Sequence, residues 1–203
     1  MSSAAVNPSG AVYVLVFDGF ADWEPAHALA ELRRSGNLEV IVVGYDARPV
    51  RSMGGLQVLP DTTLAEVDPA RVRLLLLPGG DQWESEYPRT ELEELVRALL
   101  SRGVPIAAIC GATLALARMG LLDERQHTSN MADYLPKEVP EYRGQSYYVN
   151  ALAVREDGII TASGLGSVEF AREIFAELGV MPESDRALWY HVFKHGTFPV
   201  SSR

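Results

Sequence analysis

The sequence predicts a three-layer α/β sandwich built on a mainly parallel sheet. Its 203 residues suit one well-packed domain, and its composition, 47% hydrophobic and 22% charged, is that of an ordinary globular protein. Short apolar runs alternate along the chain with longer segments of helical periodicity. Strands and helices that alternate at this spacing form βαβ units, whose helices cover both faces of a parallel sheet.

Five apolar runs are predicted to be strands. They are rich in valine, isoleucine and leucine and show no polar alternation, which indicates burial on both faces. They cover residues 11–17, 38–44, 72–80, 104–109 and 158–164. The turn-rich stretch 45–70 is expected to carry a short hairpin.

The segments between these runs are predicted to be helices. Pro25 at a first helical position and Gly36 as a stop bound the first helix, and the others show apolar residues at i, i+3, i+4 and i+7. The predicted helices cover residues 25–36, 88–103, the segment after Cys110, 167–179, and the C-terminal ALWYHVFKHG at 187–196.

The chain is predicted to form one domain over residues 11–198. Residues 1–10, MSSAAVNPSG, are small and polar without periodicity, so they are predicted to be a loose, flexible N-terminal tail. No linker, low-complexity segment or internal repeat interrupts the domain.

Charge and cysteine content limit the classes of partner and the location. The formal net charge of −9 repels phosphate backbones and anionic lipid, so neither nucleic acid nor membrane is an expected partner. No apolar stretch approaches the roughly 20 residues that cross a bilayer. The single cysteine cannot form an intramolecular disulfide, and no secretory signal pattern is seen, so the expected location is the cytoplasm.

That cysteine, Cys110, lies where a predicted strand turns into a predicted helix, in the stretch PIAAICGATLALARMGL. Such a turn presents its first side chain at the carboxyl edge of the sheet, where ligands bind in this fold class. The positive end of a following helix would lower the pKa of the thiol and favour the nucleophilic thiolate. Equally, free cysteine is often a buried packing residue, and the residues alone leave both readings open.

Other strand-end residues are candidates for the same site. The backbone N–H groups of Gly80 and Gly111 are candidate oxyanion donors, and Asp22 and Glu24 could supply a proton donor or acceptor beside the sulfur. For Asp22, capping the helix that begins near Pro25 is an equally good interpretation.

Four segments together resemble the ThiJ/PfpI family, the intracellular-protease-like branch of the class I glutamine amidotransferase superfamily. They are FADWEPAHALAELRRSG (20–36), LLLLPGG (74–80), AAICGATLALARMGLL (107–122) and DGIITASGLGSVEFAREIFAELG (157–179). The resemblance implies a flavodoxin-like, glutamine amidotransferase-like core, and a homodimer because relatives usually associate. It also implies that Cys110 is the reactive cysteine and that the carboxyl group of Glu24 hydrogen-bonds its sulfur.

The chain departs from the family pattern at one position. Many relatives carry a histidine in the segment that corresponds to ERQHTSN (124–130), and by spacing that position is Asn130, with His127 three residues earlier. Asparagine orients groups by hydrogen bonding but is no general base near neutral pH. Whether His127 or Asn130 reaches Cys110 stays open.

The resemblance implies a cysteine-dependent hydrolase of the protease or amidase type, acting on a peptide or small-molecule substrate. The alternatives are a hydratase or deglycase of small carbonyls, a stress-response protein with Cys110 as a redox sensor, and a ligand-binding or chaperone-like module. No cofactor is expected, because neither GxGxxG nor P-loop spacing occurs. No metal is expected either, because the pairs Glu24–His27 and His191–His195 lack a third ligand nearby in sequence.

Overall fold

The structure, a computed structural model, describes residues 10–198. The predicted tail lies outside these residues except for Gly10, which is buried. Seven strands form one sheet and two short ones form a hairpin. The strands are β1 (Ala11–Val16), β2 (Val40–Gly44), β3 (Val50–Arg51), β4 (Gln57–Val58), β5 (Thr62–Thr63), β6 (Val72–Leu77), β7 (Ile106–Ile109), β8 (Ala153–Glu156) and β9 (Ile159–Ala162).

Six α-helices connect or follow these strands. They are α1 (Trp23–Arg34), α2 (Arg89–Ser101), α3 (Thr113–Arg118), α4 (Tyr134–Glu138), α5 (Ser167–Leu178) and α6 (Glu183–His195). Short 3-10 turns complete the loops, and the turn Cys110–Ala112 matters most because it joins β7 to α3.

The main sheet has the order β5-β2-β1-β6-β7-β9-β8. Its neighbouring strands are parallel except β8, which pairs with β9 in the antiparallel direction. The chain leaves β1 toward β2 on one side and returns to β6 on the other. Loops therefore diverge at the carboxyl ends of β1 and β6, where doubly wound sheets form their binding crevice.

The two faces of the sheet pack against different helices. Leu74, Leu76 and alternate residues of the neighbouring strands contact α1, α5 and Trp189 of α6. Leu75, Leu77 and their neighbours contact the apolar stripe of α2 and the helix α3. Because successive strand side chains point to opposite faces, these uninterrupted apolar runs supply both cores.

These features confirm the predicted fold class, its five apolar strands and the hairpin. The strand β8 was not predicted because it is short, half-exposed and ends in Arg155 and Glu156, so it lacks a continuous apolar run. The helix after Cys110 is shorter than its sequence pattern predicts, since α3 ends at Arg118. The last helix is longer than predicted and begins at Glu183.

Over residues 10–198, no helix has both the length and the apolar character that spanning a bilayer requires.

Candidate active site at the carboxyl edge of the sheet

The backbone of Cys110 adopts an unusual conformation. Its φ is +58°, in the left-handed region, where a side chain other than glycine costs about 1–3 kcal/mol. The hydroxyl of Thr113 donates to the Cys110 carbonyl oxygen at 2.7 Å, and it also lies 2.7 Å from the hydroxyl of Ser129. These contacts hold the turn, and the thiol stays half-buried at the end of β7 rather than fully enclosed in the core.

Glu24 lies in the first turn of α1 and is almost completely buried. Its carboxylate accepts the N–H of Gly79 at 2.6 Å and hydrogen-bonds the thiol of Cys110. A Cβ atom on Gly79 would lie 2.6 Å from the Glu24 carboxylate and 2.7 Å from the Cys110 Cβ. Glycine is therefore required here, because the end of β6 must pass close to both groups.

Gly164 closes the opposite side of the pair. A Cβ at this position would lie 3.0 Å from both the Cys110 sulfur and the Glu24 carboxylate. Gly164 follows β9. The site is therefore formed by the loops that follow four strands adjacent in the sheet, β1, β6, β7 and β9. Gly79 and Gly164 were not among the predicted site residues, although both follow the carboxyl ends of strands, where parallel sheets bind their ligands.

Asn130 is the polar side chain beside the sulfur. Its Nδ2 donates to the Cys110 Sγ at 3.3 Å, and its Oδ1 accepts the N–H of Gly164 at 3.0 Å. Because the Gly164 N–H can only donate, the amide oxygen must face it and the amide NH₂ must face the sulfur. Asn130 is thus fixed as a hydrogen-bond donor to Cys110.

The sequence predicts a lowered thiol pKa, but burial and the Glu24 charge raise the pKa of Cys110 to about 11. Hydrogen bonds from Asn130 and from the Gly111 N–H lower this pKa, but by less than burial and the charge raise it. The expected helix dipole is weak, because a 3-10 turn separates the thiol from a helix of only six residues. Burial also raises the pKa of Glu24, and the Gly79 N–H partly opposes it.

The two acids therefore titrate as a coupled pair that holds one proton over a wide pH range. When the proton is on the thiol, the carboxylate accepts it and the Gly79 N–H. When the proton is on Glu24, the neutral carboxyl group no longer repels a negative charge on sulfur. The N–H donors of Asn130 and Gly111 then face a thiolate. Transfer of this one proton from sulfur to Glu24 would give a thiolate beside a neutral carboxyl group.

His127 does not reach Cys110, contrary to one of the two possibilities left open by the sequence. Its ring is buried, with Nδ1 2.7 Å from the Arg125 carbonyl oxygen and Nε2 2.5 Å from the Tyr142 hydroxyl. Burial also lowers its pKa. Both ring nitrogens are occupied, so His127 supports the fold of its loop rather than the reacting sulfur.

The Asp22 carboxylate makes its hydrogen bonds away from the sulfur, whereas the sequence made it a candidate proton donor or acceptor beside the sulfur. Its carboxylate accepts the hydroxyl of Ser52, and it accepts the N–H of Gly54 at 3.1 Å. It makes no side-chain cap on α1 either. Asp22 instead fastens the β3–β4 hairpin to the start of α1, a role that only the tertiary structure reveals.

The two predicted anion-binding amides have different surroundings. The Gly111 N–H hydrogen-bonds the Cys110 sulfur. Gly80 turns its carbonyl oxygen toward Gly111, and a Cβ there would lie 2.7 Å from the Phe17 ring, so glycine is needed for this close approach. Gly80 as an oxyanion donor remains a prediction.

The two histidine-containing pairs weighed as metal ligands have different surroundings. His27 points away from Glu24 toward Ser167 and the rings of Trp189 and Phe193. His191 and His195 have ring centroids 4.9 Å apart. Among residues 10–198, no group of three or more histidine, cysteine, aspartate or glutamate side chains could hold a metal ion.

Comparisons with known proteins agree with this fold. The chain is 37% identical over 190 residues to the uncharacterized protease YoaZ of Bacillus subtilis, covering 90% of each protein. It is 27% identical over 144 residues to the glutathione-independent glyoxalase DJR-1.2 of Caenorhabditis elegans, covering 70% of this chain and 75% of that one. A thiJ/pfpI family protein from Bacillus anthracis superposes with a TM-score of 0.86 at 35% identity, covering 95% of this chain and 93% of the other.

The match to the family model covers residues 11–177, which include every strand of the main sheet, the strained cysteine and the buried glutamate. The chain belongs to the DJ-1/PfpI family.

Proposed function

We propose that this protein is an enzyme that uses Cys110 to convert small electrophilic aldehydes, in particular 2-oxoaldehydes, into 2-hydroxy acids. The observation that carries the proposal is the set of partners around the sulfur, which consists of a carboxyl group and fixed N–H donors without an imidazole. The relative DJR-1.2, named as a glutathione-independent glyoxalase, supports the same class of chemistry.

Addition of a thiol to an aldehyde needs only one proton to be moved within this site. Glu24 takes the thiol proton, the sulfur attacks the aldehyde carbon, and the carbonyl electron pair moves to oxygen. Glu24 then returns the proton to that oxygen, giving a hemithioacetal. The N–H groups of Gly111 and Asn130 lie beside the sulfur, where charge changes during this step.

The remaining steps balance without an external oxidant. The Glu24 carboxylate removes the hydrogen of the former aldehyde carbon as a proton, which gives an enediolate. The hydroxyl proton on that carbon passes to the former ketone oxygen, and Glu24 returns its own proton to the former ketone carbon, which gives a thioester with an adjacent hydroxyl group. Water then breaks the carbon–sulfur bond and restores the thiol. Overall the aldehyde carbon is oxidised, the neighbouring carbon is reduced, and one water is added.

Amide hydrolysis is the second candidate, and the name of YoaZ, a relative that is 37% identical, favours it. It demands more of the site, because a poor leaving amine must be protonated and a water activated. By the spacing of the family resemblance, Asn130 takes the position where many relatives carry histidine, and an asparagine side chain can do neither. We therefore rank carbonyl chemistry above the hydrolase activity that the sequence favours.

The test is to incubate the protein with methylglyoxal and to measure lactate. We expect lactate formation that is lost in Cys110→Ala and after iodoacetamide treatment, which modifies one cysteine only because the chain has only one. A casein or fluorogenic peptide assay with the same two controls tests hydrolysis. Cysteine-dependent peptide cleavage without lactate formation would overturn the proposal in favour of the second candidate.

A further inference from the structure

A cavity of about 300 Å³ adjoins the Cys110 site. Its lining includes Ser129, Asn130, Tyr148, Asn150, Ser163 and Leu165. Within the described part of the chain, its lining contains no charged side chain. This distinguishes it from the cavity near Phe17, which is lined by Asp18, Asp46 and Arg48.

The cavity shares residues with the surroundings of the sulfur. Asn130 lines it and also donates to the Cys110 Sγ at 3.3 Å. Leu165 lines it and directly follows Gly164, where a Cβ would lie 3.0 Å from the sulfur. A carbon bonded to the sulfur therefore has this cavity on its Asn130 and Gly164 side, where a substituent of the substrate can extend.

The cavity also holds neutral hydrogen-bonding groups with capacity to spare. Within residues 10–198, neither the Tyr148 hydroxyl nor the Asn150 side chain has a hydrogen bond to another protein group. The Ser163 hydroxyl accepts one long bond, 3.4 Å, from the Leu165 N–H. A ligand hydroxyl could replace water at these groups, whereas an anion would enter without a cationic partner in a chain of net charge −9.

We propose that this cavity binds the uncharged, hydroxylated tail of the aldehyde substrate, and that Asn150 and Tyr148 determine this specificity. The inference rests on the proposed function, since it defines which aldehydes that site prefers. It predicts sugar-derived 2-oxoaldehydes as better substrates than methylglyoxal, and it predicts exclusion of anionic aldehydes.

The first experiment compares kcat/KM for 3-deoxyglucosone, which carries hydroxyl groups, with kcat/KM for methylglyoxal, which has none. In Asn150→Leu we expect the value for 3-deoxyglucosone to fall about tenfold and that for methylglyoxal to change less than about twofold. Asn150 is exposed, so the substitution leaves the core intact. An equal loss with both substrates, or no preference for 3-deoxyglucosone in the wild type, would overturn the inference.

Asn150→Asp tests the exclusion of charge, with Asn37→Asp as its matched control. Asn37 is also exposed, but it precedes β2 at the opposite edge of the sheet, and its φ of +50° is one that aspartate tolerates. We expect Asn150→Asp to raise the concentration of the anion glyoxylate that is needed to protect Cys110 from iodoacetamide, and Asn37→Asp to leave that concentration unchanged. Equal effects of the two variants would attribute the weaker protection to net charge alone and contradict the inference.

A second readout does not depend on turnover and separates failure of the inference from failure of the proposed function. Reversible addition of an aldehyde to Cys110 protects it from iodoacetamide. Glyceraldehyde, which is neutral and hydroxylated, should protect at lower concentration than the anion glyoxylate, and Asn150→Leu should narrow this difference by weakening protection by glyceraldehyde. If no aldehyde is turned over but this order holds, the proposed function fails and the cavity assignment stands. Equal protection by both aldehydes refutes the cavity assignment.

Discussion

Around Cys110, single residues decide which atom carries the charge. The ionised Glu24 raises the pKa of the thiol in two ways, by its negative charge and by accepting the S–H proton. The thiolate is therefore strongly disfavoured while Glu24 is ionised and much less so when Glu24 is neutral. We therefore expect the reactivity of Cys110 to follow the position of one shared proton.

Glu24→Gln should therefore lower the pKa of Cys110, because glutamine carries no charge to repel a thiolate. We expect the midpoint of the iodoacetamide rate against pH to fall from about 11 in the wild type. The matched control is Glu31→Gln, which alters another buried glutamate of α1 that is bonded to Arg34 and Ser35. A midpoint in Glu24→Gln at or above that of the wild type would contradict this account.

Asn130→Asp should have the opposite effect on Cys110. The substitution keeps the shape and the acceptor for the Gly164 N–H, but it replaces the donor to sulfur with a negative charge. We expect the pKa of Cys110 to rise and alkylation at pH 8 to slow, more than in Asn130→Ala, which removes the donor without adding charge. If Asn130→Ala slows alkylation as much as Asn130→Asp, the effect comes from loss of the donor rather than from the added charge.

At the scale of elements, the site exists because four strand ends approach one another more closely than ordinary side chains permit. The loop after β6 comes so near the start of α1 and the turn after β7 that Gly79 has no room for a Cβ. The β3–β4 hairpin is fastened to the same region through Asp22. The spacing of loops is therefore set by glycine as much as by polar residues.

Gly79→Ala should lower both the stability and the reactivity of Cys110, because its Cβ overlaps the Glu24 carboxylate and the Cys110 Cβ. We expect a loss of about 1–3 kcal/mol in the free energy of unfolding by urea, together with a shifted alkylation profile. In Gly55→Ala the new Cβ meets no atom within 4 Å, although the φ of +89° adds strain. That control should lose stability while Cys110 alkylation stays as in the wild type.

At the scale of the whole molecule, one sheet with two apolar faces joins every layer. Trp83 is buried in the core on the α2 and α3 side, and Trp189 is buried in the core on the α1 and α5 side. Both cores share the strands β1, β6 and β7, so neither can open while the other stays packed. This continuity is the basis for expecting a single domain over residues 11–198.

The two tryptophans allow that expectation to be tested. Urea unfolding of Trp83→Phe and of Trp189→Phe is followed by fluorescence and by far-UV circular dichroism of the same sample. The circular dichroism midpoint gives each variant's loss of stability. After correction for that loss, we expect the two variants to have the same fluorescence midpoint. Within each variant, fluorescence and circular dichroism should coincide. Separate transitions would show that the two layers unfold independently.

The sequence by itself determined the fold class and placed Cys110 and Glu24 together at one edge of the sheet, and their reactivity remains a prediction. Buried parallel strands and amphipathic helices have periodicities that are local properties of the chain, so they can be read without coordinates. Cys110 and Glu24 were found because a strand end is recognisable from its own residues and because the surrounding segments resemble a family. The membership in the DJ-1/PfpI family agrees with that reading.

Only the tertiary structure decided how the groups around the sulfur are arranged. Asn130 rather than His127 reaches Cys110, Asp22 holds a hairpin, and Gly79 and Gly164 make the space for Glu24. Each of these facts depends on distances between segments far apart in the chain. The direction of the thiol pKa was mispredicted for the same reason, because burial and a charge brought in from another element outweigh the local dipole of a short helix.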